Sequence, residues 1–135
     1  MSWNTEFSAS INLDHSADKI ANVILDAERL PTWNPAFTHV GPQRNDGKYP
    51  LVVQRILRGT LEYSRIGKEI TCHIMIPGLT EESTFTLTSN GTGTTVTHTV
   101  RQRGRLSAII GTHEASLVPN KRLTRLAHLL NSTRQ

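Results

Sequence analysis

The residues of this chain that could perform acid–base chemistry lie in stretches where apolar and polar side chains alternate. His98 falls between Val96 and Val100 in one such stretch, and Tyr63 lies in an earlier one. An imidazole and a phenol converging in an apolar pocket would suit proton transfer at an enol or carbonyl group, because burial tunes the pKa of each group. The alternative is structural, with His98 as a hydrogen-bonded histidine of the core.

Cys72, the single cysteine, is expected to be a small buried hydrophobe. A nucleophilic role would need an adjacent base, and His73 should point to the opposite face of the strand because neighbours alternate. Gly91 and Gly93 are followed by a strand, and no Lys-Ser/Thr pair comes after them, so they do not form a phosphate loop. The spacing of the six histidines is not that of a metal site: His15, His39, His73, His98, His113 and His128. We expect neither a metal nor a cofactor.

Turn signals predict how the strands around these residues pair. Asn90-Gly91 and Pro77-Gly78 are both typical of connections between antiparallel strands. They predict these cross-strand neighbours: Phe85 with His98, Leu87 with Val96, Cys72 with Phe85, and Ile74 with Ser83. The preceding hairpin places Tyr63 near Cys72. One face of the sheet should then carry a largely apolar set that includes His98: Ile70, Cys72, Ile74, Phe85, Leu87, Val96, His98 and Val100.

The elements that must position these residues follow from periodicity. Alternation predicts a strand over 5–13 and further strands over 36–42, 50–57, 69–76, 81–89 and 94–103, with another between Gly59 and Gly67. Ser16 is a predicted N-cap, with Asp18 in the first turn of the following helix. A short helical turn is expected around Glu28–Trp33. Apolar spacing from Leu106 to Leu130 predicts a last helix, with Pro119 either in a first turn or at a kink.

The run Leu30-Pro31-Thr32-Trp33-Asn34-Pro35 is a rigid segment after the first helix. Each proline fixes its own backbone and restricts the residue before it. Trp33 then either plugs one end of the core or lines the mouth of a pocket.

Length and composition limit the classes of protein. The 135 residues fit a single domain over 1–135, with 36% apolar residues and no stretch long enough to span a membrane. The lone cysteine and the lack of a signal-peptide pattern favour a cytoplasmic location. The net charge is +4, and residues 101–135 hold one acid, Glu114, against these basic residues: Arg101, Arg103, Arg105, Lys121, Arg122, Arg125 and Arg134. They are not interleaved with aromatic residues, so nucleic acid is not expected as a partner.

The order of elements predicts an α+β fold in which a curved, seven-stranded antiparallel sheet grips a long C-terminal helix. Two short helices follow the first strand. Space between sheet and helix is where a small ligand would lie.

This pattern resembles the START/Bet v 1-like helix-grip superfamily (SRPBCC), in its polyketide cyclase/dehydrase-like branch. The matching segments span nearly the whole chain: Ser16–Ile20, Asp26, Leu30–Pro35, Gly93-Thr94-Thr95-Val96-Thr97 and Gly104–Leu130. The resemblance implies a hydrophobic cavity for a lipid-like or polyketide-like molecule. It supplies no universal catalytic residue, and we assign none.

The main hypothesis is a protein that binds a hydrophobic or aromatic small molecule between sheet and helix. One alternative is a cyclase- or dehydratase-type enzyme using His98 and Tyr63, and another is an interaction module using the basic C-terminal helix; a homodimer is also left open. The predicted ligand-binding residues are Trp33, Tyr63, Ile70, Cys72, Ile74, Phe85, Leu87, Val96, His98, Val100, Ile109 and Leu123.

Overall fold

The computed structural model describes residues 3–110 and 112–132, and within these it does not describe the side chains of 108–110 and 112. The strands are β1 (Thr5–Leu13), β2 (Phe37–Val40), β3 (Tyr49–Val53), β4 (Leu57–Ile66), β5 (Glu69–Ile76), β6 (Leu79–Ser89) and β7 (Thr94–Arg103). The helices are α1 (Ala17–Leu25), α2 (Leu30–Trp33), α3 (Arg105–Ile110) and α4 (Thr112–Ser132), with a 3₁₀ turn at Ala27–Arg29.

The seven strands form one antiparallel sheet in the order β1-β7-β6-β5-β4-β3-β2. Residues along β6 and β7 alternate between buried and partly exposed, as expected of strands with one face on the core. Helix α4 packs on the inner side of β1 and β7 and contacts α2. The predicted α+β helix-grip architecture, with short helices after the first strand, is therefore confirmed.

Helix α1 begins where the sequence predicted. The hydroxyl of Ser16 accepts a hydrogen bond from the backbone N–H of Lys19 at 3.2 Å, and Asp18 lies in the first turn. The apolar face of α1 is buried, including Ile20 and Ile24. The predicted helical turn near Trp33 is the 3₁₀ turn followed by α2, with Pro31 in its first turn.

Three of the predicted strand neighbours are confirmed: Phe85 with His98, Leu87 with Val96, and Tyr63 with Cys72. The other two are wrong, because Cys72 lies opposite Ser83 and Ile74 lies opposite Glu81. The cause is a tight turn in which Ile76 pairs directly with Leu79, leaving only Pro77 and Gly78 between the strands. The resulting shift of two residues preserves the face of each side chain, so the predicted apolar face is intact.

The predicted strand over 50–57 is correct only as far as Val53, where β3 ends. Gln54 and Arg55 adopt positive φ angles of 54° and 66°, so the chain turns there and β4 starts at Leu57. Gly59 consequently lies inside β4 instead of before it. A Cβ atom on Gly59 would overlap the carbonyl oxygen of Met75 on the adjacent strand, so glycine is required by close backbone approach.

The C-terminal part forms two helices, α3 and α4. Pro119 lies inside α4, so of the two alternatives for this residue the position in a first turn is wrong and the position within a helix is correct. Leu123, Leu126 and Leu130 are fully buried, and they pack the apolar face of α4 against the sheet.

At the opposite end of the sheet from β1, the edge strand β2 has only four residues and a register shift between Phe37 and His39.

Replacing Gly59 with alanine should lower the free energy of unfolding by roughly 1–3 kcal/mol, because the new methyl group forces β4 and β5 apart. Urea denaturation measures the change. Ser64→Ala, at an exposed position of the same strand, is the control and should stay within about 0.5 kcal/mol of the parent protein. Equal stabilities for the two variants would contradict the close approach at Gly59.

Candidate functional site

A cavity lies inside the fold, between α1, α2, β2, the central strands and α4. Its free volume is about 10 Å³, room for about one water molecule. The residues that line it are mostly apolar or aromatic, with a few polar groups: Ile24, Leu30, Trp33, Asn34, Phe37, Tyr63, Cys72, Ile74, Ser83, Phe85 and Arg122.

The structure divides the predicted ligand-binding residues into two groups. Those that line the cavity are Trp33, Tyr63, Cys72, Ile74 and Phe85. Those that are buried in the same core but do not line the cavity are Ile70, Leu87, Val96, His98, Val100 and Leu123. The side chain of Ile109 lies outside the part that the structure describes.

Aromatic rings form one wall of the cavity. Trp33, only 1% exposed, meets Phe85 edge to face, with ring centroids 5.7 Å apart. Tyr63 meets Tyr49 in a similar arrangement at 6.1 Å. The indole Nε1 of Trp33 and the hydroxyl of Tyr63 are both buried and have no hydrogen-bond partner among the described residues. Burial also raises the pKa of the Tyr63 phenol above its ordinary value, so the group remains a neutral donor.

His98 is a fully buried member of β7. Its ring stacks on Phe85 with centroids 4.0 Å apart and planes at 7°. Nδ1 lies 3.2 Å from the carbonyl oxygen of Thr84, so Nδ1 carries the ring proton and its N–H donates a hydrogen bond to that oxygen. Burial, with the nearby Arg122 charge, lowers the pKa of His98 to about 3 against the opposing influence of Thr84 and Glu81. The ring is therefore neutral near pH 7, and its Nε2 has no partner among the described residues.

The structure does not bring Tyr63 and His98 together. Tyr63 is on β4 and His98 on β7, with β5 and β6 between them. Three strand spacings of about 4.8 Å separate their backbones by roughly 14 Å. Cys72 does not supply a thiolate near either residue, because burial and the charge of Glu81 raise the pKa of the Cys72 thiol.

A buried ion pair, absent from the sequence-based prediction, joins α4 to the sheet. Arg122 Nη1 donates to Glu81 Oε2 at 2.8 Å, and Nη2 donates to Oε1 at 3.3 Å. The two side chains are only 12% and 3% exposed. Ser83 donates to Glu81 at 2.6 Å, and Gln102 donates to it at 2.8 Å. The Arg122 guanidinium also lies over the ring of Phe37, 5.5 Å from its centroid.

These contacts hold Glu81 in its charged form. Burial alone would raise the pKa of the Glu81 carboxyl, but the charge of Arg122 and the hydrogen bonds from Arg122, Ser83 and Gln102 lower it to about 2. A weak sequence signal for this network exists. Glu81 and Ser83 are in phase with the inward-facing Phe85, and Gln102 is in phase with Val100. By sequence, Arg122 is one of the basic residues of 101–135, and nothing in the local sequence of α4 distinguishes it from the others.

Among the described residues, no three histidine, cysteine or acidic side chains converge in a way that could hold a metal ion. Within the same residues, no helix is long and apolar enough to cross a membrane.

Known proteins were compared with the chain by sequence and by structure. No family model and no curated protein matches it. A START superfamily protein from Mycobacterium smegmatis matches with a TM-score of 0.71 at 18% identity, covering 95% of each chain. A conserved protein from Geobacillus kaustophilus matches with a TM-score of 0.77 at 17% identity, over 96% of this chain and 97% of the other. A STAR-related lipid transfer protein from Xanthomonas axonopodis gives 0.68 at 17%, over 93% and 85%.

These matches, together with the sheet and helix arrangement, show that the chain has a START/Bet v 1-like helix-grip fold. The resemblance stated from the sequence is confirmed at that level. Sequence identities this low show only that the fold is shared, so the ligand and any reaction have to be inferred from the site.

Replacing Arg122 with methionine should lower the free energy of unfolding by about 3–5 kcal/mol, because it leaves Glu81 charged and buried without its partner. The double variant Glu81→Gln/Arg122→Met should recover most of that loss, as measured by urea denaturation. Arg125→Met, an exposed change on the same helix, is the control. Purely additive losses in the double variant would show that the two charges are not coupled.

The burial of neutral His98 predicts a pH dependence of stability. Between pH 6.5 and about 3 the unfolded chain binds a proton that the folded protein excludes, so stability falls as the pH falls through this range. His98 contributes at most about 1.4 kcal/mol per pH unit to this slope. Denaturation of a His98→Leu variant across the range should show a shallower slope. NMR of the ring nitrogens should show neutral His98 at pH 5, and a protonated ring there would contradict the assignment.

Proposed function

We propose that the protein binds a small apolar or aromatic molecule in the cavity beside Trp33 and Tyr63. The observation that carries the proposal is the pair of buried donors, Trp33 Nε1 and Tyr63 OH, without a partner among the described residues. An unmet buried donor costs about 1–3 kcal/mol. A ligand with an acceptor oxygen inside an otherwise aromatic pocket would meet this need.

The small free volume means that binding has to enlarge the cavity. Pockets that enclose small molecules typically measure ~300–1,000 Å³. The sheet side is held by strand pairing, whereas the side facing α2 and α4 includes two residues from outside the sheet, Asn34 and Arg122. We infer that the ligand enters between α2, a helix of four residues, and α4 by displacing the side chain of Asn34, while Arg122 stays paired with Glu81.

A structural neighbour supports the class of ligand. The Xanthomonas axonopodis protein with this fold is a STAR-related lipid transfer protein. We extend to this chain the expectation of a lipid-like or polyketide-like ligand, held in a cytoplasmic protein whose buried Cys72 is unpaired.

The site supports the two alternatives from the sequence less than it supports ligand binding. The enzyme hypothesis needs Tyr63 and His98 on one substrate, and strands β5 and β6 separate them. The interaction hypothesis needs a basic face on α4; Arg122 is turned inward to Glu81, which leaves Lys121 and Arg125 as the exposed lysine and arginine of that helix. Ligand binding remains the function that these contacts favour.

Native mass spectrometry of the protein purified from its own host should reveal a bound small molecule. Calorimetry with a neutral aromatic probe, 2-naphthylacetamide, supplies a second measurement. Cys72→Met should weaken probe binding about tenfold, because the longer side chain fills the cavity. Val100→Ile adds a methylene to the same core away from the cavity and should leave binding unchanged.

The proposal fails if no molecule co-purifies and naphthyl probes do not bind. It also fails if Cys72→Met binds the amide probe as tightly as Val100→Ile and the parent protein do.

A further inference from the structure

A cleft on the outside of the molecule shares a wall with the cavity. Its volume is about 110 Å³, and it lies between the segment 34–36 and helix α4. Asn34 and Arg122 line both spaces. A molecule that displaces the side chain of Asn34 and lies against Arg122 would therefore occupy the cavity and the cleft together.

The cleft has an unbalanced positive charge. Lys121, Arg122 and Arg125 line it, and no acidic side chain does. Arg122 is neutralised by Glu81, whereas Lys121 and Arg125 are exposed and form no ion pair among the described residues. They stand four residues apart on α4, where two like charges destabilise a helix by roughly 0.2–0.5 kcal/mol. The fold thus places two uncompensated cations at the outer side of the wall.

Arg122 can accept a second anion without releasing Glu81. A guanidinium has five N–H donors. Nη1 uses its donors on Glu81 and Ser83, at 2.8 and 3.0 Å, and Nη2 uses one on Glu81. The Nε–H and the second Nη2–H are not used by any described residue. They form the side edge of the guanidinium, which matches the two oxygens of a carboxylate.

We infer that the ligand is an amphipathic monocarboxylate. This inference deepens the proposed function and rests on it. The apolar or aromatic body of the ligand lies in the cavity against Trp33 and Phe85. Its carboxylate lies in the cleft, where Lys121 and Arg125 supply charge and Arg122 supplies the paired donors.

A matched pair of probes tests the inference by calorimetry at low salt: 2-naphthylacetate and its neutral amide, 2-naphthylacetamide. The two share one aromatic body and differ in charge. The acid should bind about tenfold more tightly than the amide, because charge-assisted hydrogen bonds to the cleft form only with the acid. The variant Lys121→Gln/Arg125→Gln should reduce this preference several-fold, because only the Arg122 donors remain, while leaving amide binding unchanged.

The control variant, Arg65→Gln/Lys68→Gln, also removes two positive charges, but at the β4–β5 turn, where neither residue lines the cleft. It should keep the full preference for the acid. Arg122→Gln leaves Glu81 unpaired, so the test does not depend on that variant folding.

The outcomes separate the two proposals. Equal affinity for acid and amide, or a preference that is undiminished in Lys121→Gln/Arg125→Gln, overturns the carboxylate inference and leaves ligand binding in place. A preference reduced equally in the control overturns it as a general charge effect. Absence of binding by both probes overturns this inference together with the proposed function.

Discussion

The contact between Glu81 and Arg122 fixes helix α4 on the sheet. Two opposite charges lie inside the core, 2.8 Å apart, and each is also hydrogen-bonded to Ser83. Burying either charge alone would be costly, so the helix has to sit where the guanidinium reaches the carboxylate. Leucines along α4 would pack acceptably in several neighbouring positions, because apolar contact has no direction. The ion pair has direction, and it selects one rotation of the helix about its axis.

Arg122, one member of this ion pair, is a polar part of the wall of an aromatic cavity. Arg122 contacts Phe37 and lines the cavity that Trp33, Tyr63 and Phe85 surround. Polar contacts with direction at one end and apolar rings at the other are the usual division of roles in small-molecule sites. His98 belongs to the supporting layer, because its ring stacks behind Phe85 and its proton is committed to Thr84.

Much of the fold followed from the sequence because alternation and turn residues are local signals. Asn90-Gly91 set the pairing of β6 with β7, and Ser16 marked the start of α1. The β5–β6 pairing was missed by two residues because Pro77-Gly78 allows more than one turn length. The Glu81–Arg122 pair was missed because it joins residues 41 positions apart, and its geometry depends on how α4 is rotated on the sheet. The cavity volume was equally inaccessible, since it depends on the packing of side chains from distant elements.

The two edges of the sheet differ in what they offer to another polypeptide. The register shift within β2 interrupts a strand of only four residues, so few consecutive N–H and C=O groups are aligned there for a new strand. The opposite edge, β1, runs for nine residues without such an interruption. Any association of copies by strand addition would therefore pair one β1 edge with another and stop there, because the β2 edge offers too few aligned groups to extend it into a fibre.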